Sequence, residues 1–272
     1  MELITCAVRG KHDDPSRCED VVALHERAVV VADGVSSDGT VTLAAGTVTT
    51  SGRAAAERIA ATVTGLADAG ALPPPRDLVD AATAAVADLP SSPAGRRAGA
   101  AVTVLDLAAN RIVRVGDGPF RVNGTVYGGR SAIDQVTVAT RCAYLHALLE
   151  GGATPQELAA SDPDPGREMI LPLLTVQHAL SNRQGPYGFA AVNGTVVHGS
   201  FIEVVELPPG AWHVVLATDG YPDISGTFAQ AEADLARRLV EDPLCIGVLA
   251  GTKPVRPGQV SFDDRAWVEL RR

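Results

Sequence analysis

The chain has 272 residues, of which 46% are apolar and 20% charged, enough for a substantial core and unlike a disordered chain. Its net charge of −9 includes no basic block, which argues against a phosphate-seeking nucleic-acid surface. The four cysteines, Cys6, Cys18, Cys142 and Cys245, form no Cys-x-x-Cys pair, so neither a structural zinc site nor a redox dithiol is expected.

Met1-Glu2-Leu3-Ile4-Thr5 lacks the charged and apolar regions of a signal peptide, and no run approaches ~18 apolar residues. The expectation is a soluble cytoplasmic protein with no membrane partner. Glu2 to Val8 reads as a first strand, Arg9 to Arg17 as a polar loop and Val21 to Leu24 as a second strand. Ala28-Val29-Val30-Val31-Ala32-Asp33-Gly34 follows, a short apolar run of the kind buried on both faces, ending in an acid and a glycine. Val35 to Thr40 is a loop. From about Val41 to Leu66 an alanine-rich helix is expected, and Leu72-Pro73-Pro74-Pro75 breaks it. Asp77 suits the N-cap of a helix over Leu78 to Leu89.

Two strands, Ala100 to Leu107 and Arg111 to Val115, form the next hairpin, and Val122-Asn123-Gly124-Thr125-Val126 carries the Asn-Gly signal of another. Helices are expected over Val138 to Glu150, Pro155 to Ala160 and Arg167 to Ser181. Strands are expected over Tyr187 to Val192, Thr195 to Val197, Phe201 to Leu207, Val214 to Ala217 and Arg265 to Leu270, with an amphipathic helix over Phe228 to Val240. Helices fall in pairs instead of alternating with strands, which disfavours a doubly wound parallel sheet and favours stacked antiparallel sheets flanked by helices, in one domain spanning 1–272.

The central Asp33-Gly34 ending recurs as Val115-Gly116-Asp117-Gly118 and as Ala217-Thr218-Asp219-Gly220. Asp-Gly is a common turn dipeptide, but a repeated carboxylate at strand ends points to a shared acidic site, together with Glu19, Asp20 and Asp263. Converging carboxylates repel one another unless cations lie among them. Oxygen donors without His or Cys select Mg²⁺ or Mn²⁺ over Zn²⁺, and paired divalent ions suit phosphoester hydrolysis.

Four ordered segments resemble the metal-dependent type-2C (PPM) serine/threonine protein phosphatases of compact bacterial type. They are Cys18-Glu19-Asp20, Val31-Ala32-Asp33-Gly34, Val115-Gly116-Asp117-Gly118 with Ala217-Thr218-Asp219-Gly220, and Phe262-Asp263-Asp264-Arg265. The resemblance implies an α+β fold, a four-layer α/β/β/α sandwich of two antiparallel sheets flanked by helices. It also implies two Mg²⁺ or Mn²⁺ ions bridged by the hydroxide that attacks phosphorus, with positions for a weaker third ion. Asp33 would bridge the ions and the Gly34 carbonyl ligate one; Asp219 and Asp263 would ligate the other, with Glu19 acting through water. Asp20 would hold the water network, and Asp117, Asp219 and Asp223 match the third position. The implied substrate is a phosphorylated Ser/Thr protein, handled by a monomer.

The arginine that such phosphatases carry four residues before the Glu, where it grips phosphate, is here Pro15. Arg9 and Arg17 lie nearby out of register, Val35-Ser36-Ser37 stands where glycines are common, and Gly118-Pro119-Phe120-Arg121 replaces the usual Ser-Arg. His12, in the same loop as the missing arginine, is a candidate general acid for the leaving oxygen as well as a solvated loop residue. Cys18 beside Glu19 is a poor nucleophile, no Gly-x-Ser-x-Gly elbow or phosphate loop occurs, and Trp212 and Trp267 read as core. Two alternatives stay open: a catalytically weak binding or regulatory module that has kept the fold, and a phosphatase of small metabolites. Gly39 to Ser51 and Val126 to Val136 are candidate flaps over the site.

Overall fold

Val29 and Val31 of strand β3 (Ala28–Val35) turn to one side, Ala28, Val30 and Ala32 to the other, and all five are buried. This computed structural model describes residues 1–12, 15–35, 40–42, 48–92 and 95–272. The candidate flap Gly39 to Ser51 and the Val35-Ser36-Ser37 turn lie partly outside them.

β3 is central in a five-stranded sheet. β2 (Val21–Leu24) pairs on one side, and β6 (Gly99–Asp106), β7 (Arg111–Val115) and β10 (Glu203–Glu206) follow on the other, all antiparallel. The second sheet runs β1 (Glu2–Arg9), β12 (Arg265–Arg271), β11 (His213–Ala217), β8 (Phe120–Val122) and β9 (Thr125–Tyr127), again antiparallel throughout. The β8–β9 turn is the expected Asn-Gly, with positive φ at both Asn123 (48°) and Gly124 (89°). A short hairpin, β4 (Thr40–Thr42) and β5 (Val48–Thr50), stands apart.

Period-two alternation builds the layers. Val29, Val31, Leu105 and Ile112 of one sheet pack against Phe120, Val214, Leu216, Val268 and Leu270 of the other, filling the space between the sheets. Ala28, Val30, Ala32 and Val104 face outward against α1 (Ser51–Ala69) and α2 (Pro75–Ala85). Val215, Ala217 and Trp267 face outward from the second sheet, against Tyr221 and against Phe228 and Ala231 at the start of α6 (Phe228–Glu241). The result is the expected α+β sandwich of two antiparallel sheets flanked by helices. β3 is apolar on both faces because it lies between a helix layer and a second sheet.

α3 (Ala132–Glu150), α4 (Pro155–Ala160) and α5 (Pro165–Val176) form a smaller unit beside the sandwich, where Leu145 and Leu158 pack on Leu244. Its clamp is Arg141, fully buried, which forks onto Asp164 at 3.1 and 3.0 Å and donates to the carbonyls of Leu244, Cys245 and Gly251.

Several expectations need correction. The alanine-rich helix begins at Ser51, capped by Thr50, because β4 and β5 take the preceding Thr-rich residues. The next helix starts at Pro75, with Asp77 inside its first turn, since Pro is favoured at the first helical position. α3 starts at Ala132, six residues earlier than expected, because Ser131 supplies the cap to Asp134 N. Tyr187 to Val192 and Thr195 to Val197 are not strands; only isolated bridges, such as Ala100 with Val192, form there. Asn182 and Asn193 side chains satisfy the backbone of this stretch instead.

Candidate active site

The two sheets deliver their acids at one end. Asp33 lies near the end of β3, next to the start of β2, where Val21 pairs with Ala32 and Glu19-Asp20 immediately precede. Across the sandwich, Thr218-Asp219 leaves β11 as Asp263-Asp264 enters β12, and Ala217 pairs with Trp267. Asp117 follows the end of β7. The backbone there has no room for larger residues. A Cβ on Gly34 would sit 2.6 Å from the Gly52 carbonyl and 2.7 Å from that of Glu19; one on Gly220 would sit 1.9 Å from the Asp264 carbonyl. Asp-Gly is therefore required by close approach of chains, not only by turning.

Hydrogen bonds tie the two halves together. Thr218 Oγ1 donates to Asp20 Oδ2 at 2.6 Å and accepts from Ala266 N at 2.8 Å. The buried Asp264 carboxylate accepts from Lys11 N at 2.7 Å and Glu19 N at 3.1 Å, which fastens the end of β1 and the Glu19-Asp20 segment beside β12. Asp33 and Asp219, remote in sequence, are neighbours in the fold, and their charges act on one another.

The electrostatics follow from this crowding. Loss of hydration, then the charges of Asp20, Asp219, Asp263 and Asp117, push the Asp33 carboxyl well above the usual range. Asp20 moves the same way for the same first reason, although its bond from Thr218 opposes the shift. Asp219 opens onto the cavity and is exposed there; reduced hydration of its carboxyl, then the neighbouring Asp263 and Asp117 charges, push it up to about 7. Burial and the Asp134 charge raise Asp117. Asp263 moves the other way. Burial opposes its charge, but Lys253 and Lys11 outweigh it, and its carboxyl is held below the usual value. Lys253 Nζ lies 2.6 Å from Asp263 Oδ2, and Lys11 Nζ lies 3.2 Å from Asp263 Oδ1 and 3.0 Å from Asp264 Oδ2.

Asp117, Asp219 and Asp263 line one cavity of about 150 Å³ with Asp134, Arg130 and Lys253. Asp117, Asp134 and Arg130 also line an adjoining groove of about 680 Å³, walled by Phe189 and Phe201. Among the described residues, no three His, Cys, Asp or Glu side chains close around one point as a finished metal cage. The donor set nonetheless fits a hard divalent cation. It offers only oxygen, and the raised carboxyls of Asp33, Asp219, Asp20 and Asp117 mark negative charge crowded by its own kind. Asp263 differs, because two ammonium groups already neutralise it.

Of the other expected residues, Asp223 is exposed and its Oδ1 accepts from Ser225 N at 2.7 Å, within its own turn. Arg9 lies 3.6 Å from Glu232, over the Phe228 ring, in the outer network of Glu232, Arg265 and Tyr221. Arg17 is exposed on the turn before Glu19. His12 bridges to Gln259. Burial, then the charges of Asp20 and Asp264, push the Cys18 thiol up to about 12, as expected of a poor nucleophile. Trp212 and Trp267 are core. Lys11, Lys253, Arg130 and Asp134 carried no local signal; Thr218 and Asp264 stood inside the quoted motifs, and only their partners reveal what they do.

No protein-family model matches the chain, and no curated protein does. Solved structures do. The serine/threonine phosphatase Stp1 of Staphylococcus aureus matches at a TM-score of 0.50 and 14% identity, over 99% of this chain and 94% of that one. The serine/threonine phosphatase PstP of Mycobacterium tuberculosis matches at 0.47 and 18%, over 98% of both chains. The PPM Ser-Thr phosphatase MsPP of Mycobacterium smegmatis matches at 0.46 and 15%, over 99% of this chain and 98% of that one. At such identities the likeness is one of fold. No helix among the described residues is long and apolar enough to cross a membrane.

Proposed function

We propose that this chain, which has the fold of the PPM-type phosphatases, is a metal-dependent phosphomonoesterase acting on phosphoserine and phosphothreonine in proteins. Residues 1–272 act as one catalytic unit. The observation that carries the reading is the convergence of acids from both sheets at one rim: Asp117, Asp219 and Asp263 line one cavity, Thr218 beside Asp219 holds Asp20, and Asp33 feels the charges of all four.

Asp33, Asp219 and Asp20 are the catalytic carboxylates, and Asp33, Asp219, Asp117 and the Gly34 carbonyl would hold two Mg²⁺ or Mn²⁺ ions, with Glu19 acting through water. Asp263 joins them once Lys253 or Lys11 yields it. The bound ions supply charge neutralisation and an activated water. Thr218 fixes Asp20 in one orientation, and Asp264 fixes the Glu19-Asp20 segment. Hydrolysis forms one bond from water oxygen to phosphorus and breaks the ester P–O bond, releasing inorganic phosphate and the seryl or threonyl hydroxyl. His12, against Gln259 in the loop that leads to Glu19, is the candidate donor of the proton to that hydroxyl.

A second reading, a regulatory module with the same fold, is favoured by the two lysines on Asp263. One assay separates them. Mn²⁺-stimulated hydrolysis of para-nitrophenyl phosphate and of a phosphothreonine peptide is expected, falling by more than ~100-fold in Asp33→Asn and Asp219→Asn. Metal binding without turnover would select the module.

A further inference from the structure

An enzyme that removes phosphoryl groups needs a fixed cation to hold the phosphate oxygens, and position 15, where the resemblance would place it, is proline. Most cations near the acidic site are already committed. Lys11 and Lys253 are held by Asp263 and Asp264. Arg114 is held by Glu203 and the Gly118 carbonyl, and Arg53 by Glu57 and the Cys18 carbonyl. Arg9 is drawn to Glu232 on the outer face.

Arg130 is different. Its guanidinium has no hydrogen-bond or ion-pair partner among the described residues; only its carbonyl is used, accepting from Gln135 Nε2 at 3.1 Å. Its backbone is nevertheless fixed, because Ser131 next to it caps α3. It lines both the cavity of Asp117, Asp219 and Asp263 and the larger groove of Phe189 and Phe201, so it stands where the two meet. Arg17, exposed on the turn before Glu19, lines neither.

We infer that Arg130 is the substrate-binding residue that grips the phosphoryl group, standing in for the arginine absent at position 15, while the phosphorylated peptide lies in the Phe189–Phe201 groove. This rests on the phosphatase reading. A planar guanidinium matches two phosphate oxygens at once, which an ammonium cannot do. Placed between cavity and groove, it contacts the phosphate of a substrate whose chain continues into the groove. It also contacts the product, inorganic phosphate.

The test is the affinity of the Mn²⁺-loaded protein for inorganic phosphate, by calorimetry, beside steady-state kinetics on a phosphothreonine peptide. Arg130→Ala is expected to weaken phosphate binding and raise KM about 10- to 100-fold, with Arg130→Lys recovering part of the loss. The melting temperature should not move, since the side chain is exposed and unpaired. Unchanged phosphate affinity in Arg130→Ala overturns the inference, even if KM for the peptide rises, because the residue would then touch only the peptide. If the wild type turns over no phosphoester, the phosphatase reading fails on its own, and the phosphate titration still decides whether Arg130 is an oxyanion grip.

Discussion

Lys253 Nζ lies 2.6 Å from Asp263 Oδ2, and it does so from a loop that meets the start of β12 only in the folded chain. The contact, with Lys11 on the other oxygen, places two positive charges where a divalent cation would approach Asp263. Both lysines neutralise the carboxylate and would compete with a divalent cation for it.

Replacing one of them therefore shifts metal affinity. Lys253→Met is expected to tighten Mn²⁺ binding on the order of tenfold, equivalent to ~1.4 kcal/mol, by removing a like charge from the incoming ion. Isothermal titration measures it. Weaker binding would mean that Lys253 serves to hold Asp263 in a ligating pose.

Stability of the metal-free protein should depend on pH in an unusual direction. Asp219 has a folded value of about 7 against an ordinary 3.8, so between those values the folded state keeps a proton that the unfolded chain has lost. Stability then falls as pH rises through that window, and the deficit is complete above about 7. Asp33, Asp20 and Asp117 act in the same sense; Asp263, held low by its lysines, opposes them. In EDTA the melting temperature should fall by a few degrees from pH 5 to pH 8, damped by water in the cavity, and Mn²⁺ at pH 8 should restore it. Asp219→Asn should flatten the profile. A metal-free profile that rises across this range would contradict the assigned crowding of charge.

The buried Arg141–Asp164 pair predicts a stability effect away from the chemistry. Arg141→Met leaves the Asp164 carboxylate buried with only the Arg167 amide, and strips donors from the carbonyls of Leu244, Cys245 and Gly251. A loss of about 3–5 kcal/mol is expected by urea denaturation, since breaking half of a buried pair exposes its full desolvation cost. A loss below ~1 kcal/mol would show that this corner rearranges freely.

Much of the frame was legible before any coordinates. Apolar runs ending in Asp-Gly mark strands that leave the core at one rim, because burial excludes a carboxylate and close packing of backbones demands glycine. The Asn123-Gly124 turn and the helix over Phe228 to Val240 were equally plain, since neighbours in sequence set both. The start of α1 was not, because Thr-rich residues suit a short hairpin as well as a frayed helix end. Nor was the stretch after Tyr187, whose strand-like composition is met by asparagine side chains in place of a ladder.

What the sequence by itself determined is the inventory and its order: which acids end which strands, and that they are hard oxygen donors. Local periodicity and turn chemistry carry that information over a few residues. Only the tertiary structure decided that Lys11 and Lys253 clasp Asp263, that Arg141 is a buried clamp and that Arg130 is left unpaired beside the acids. Charges interact with whatever lies within a few ångströms, and Lys11 and Asp263 stand 252 residues apart along the chain.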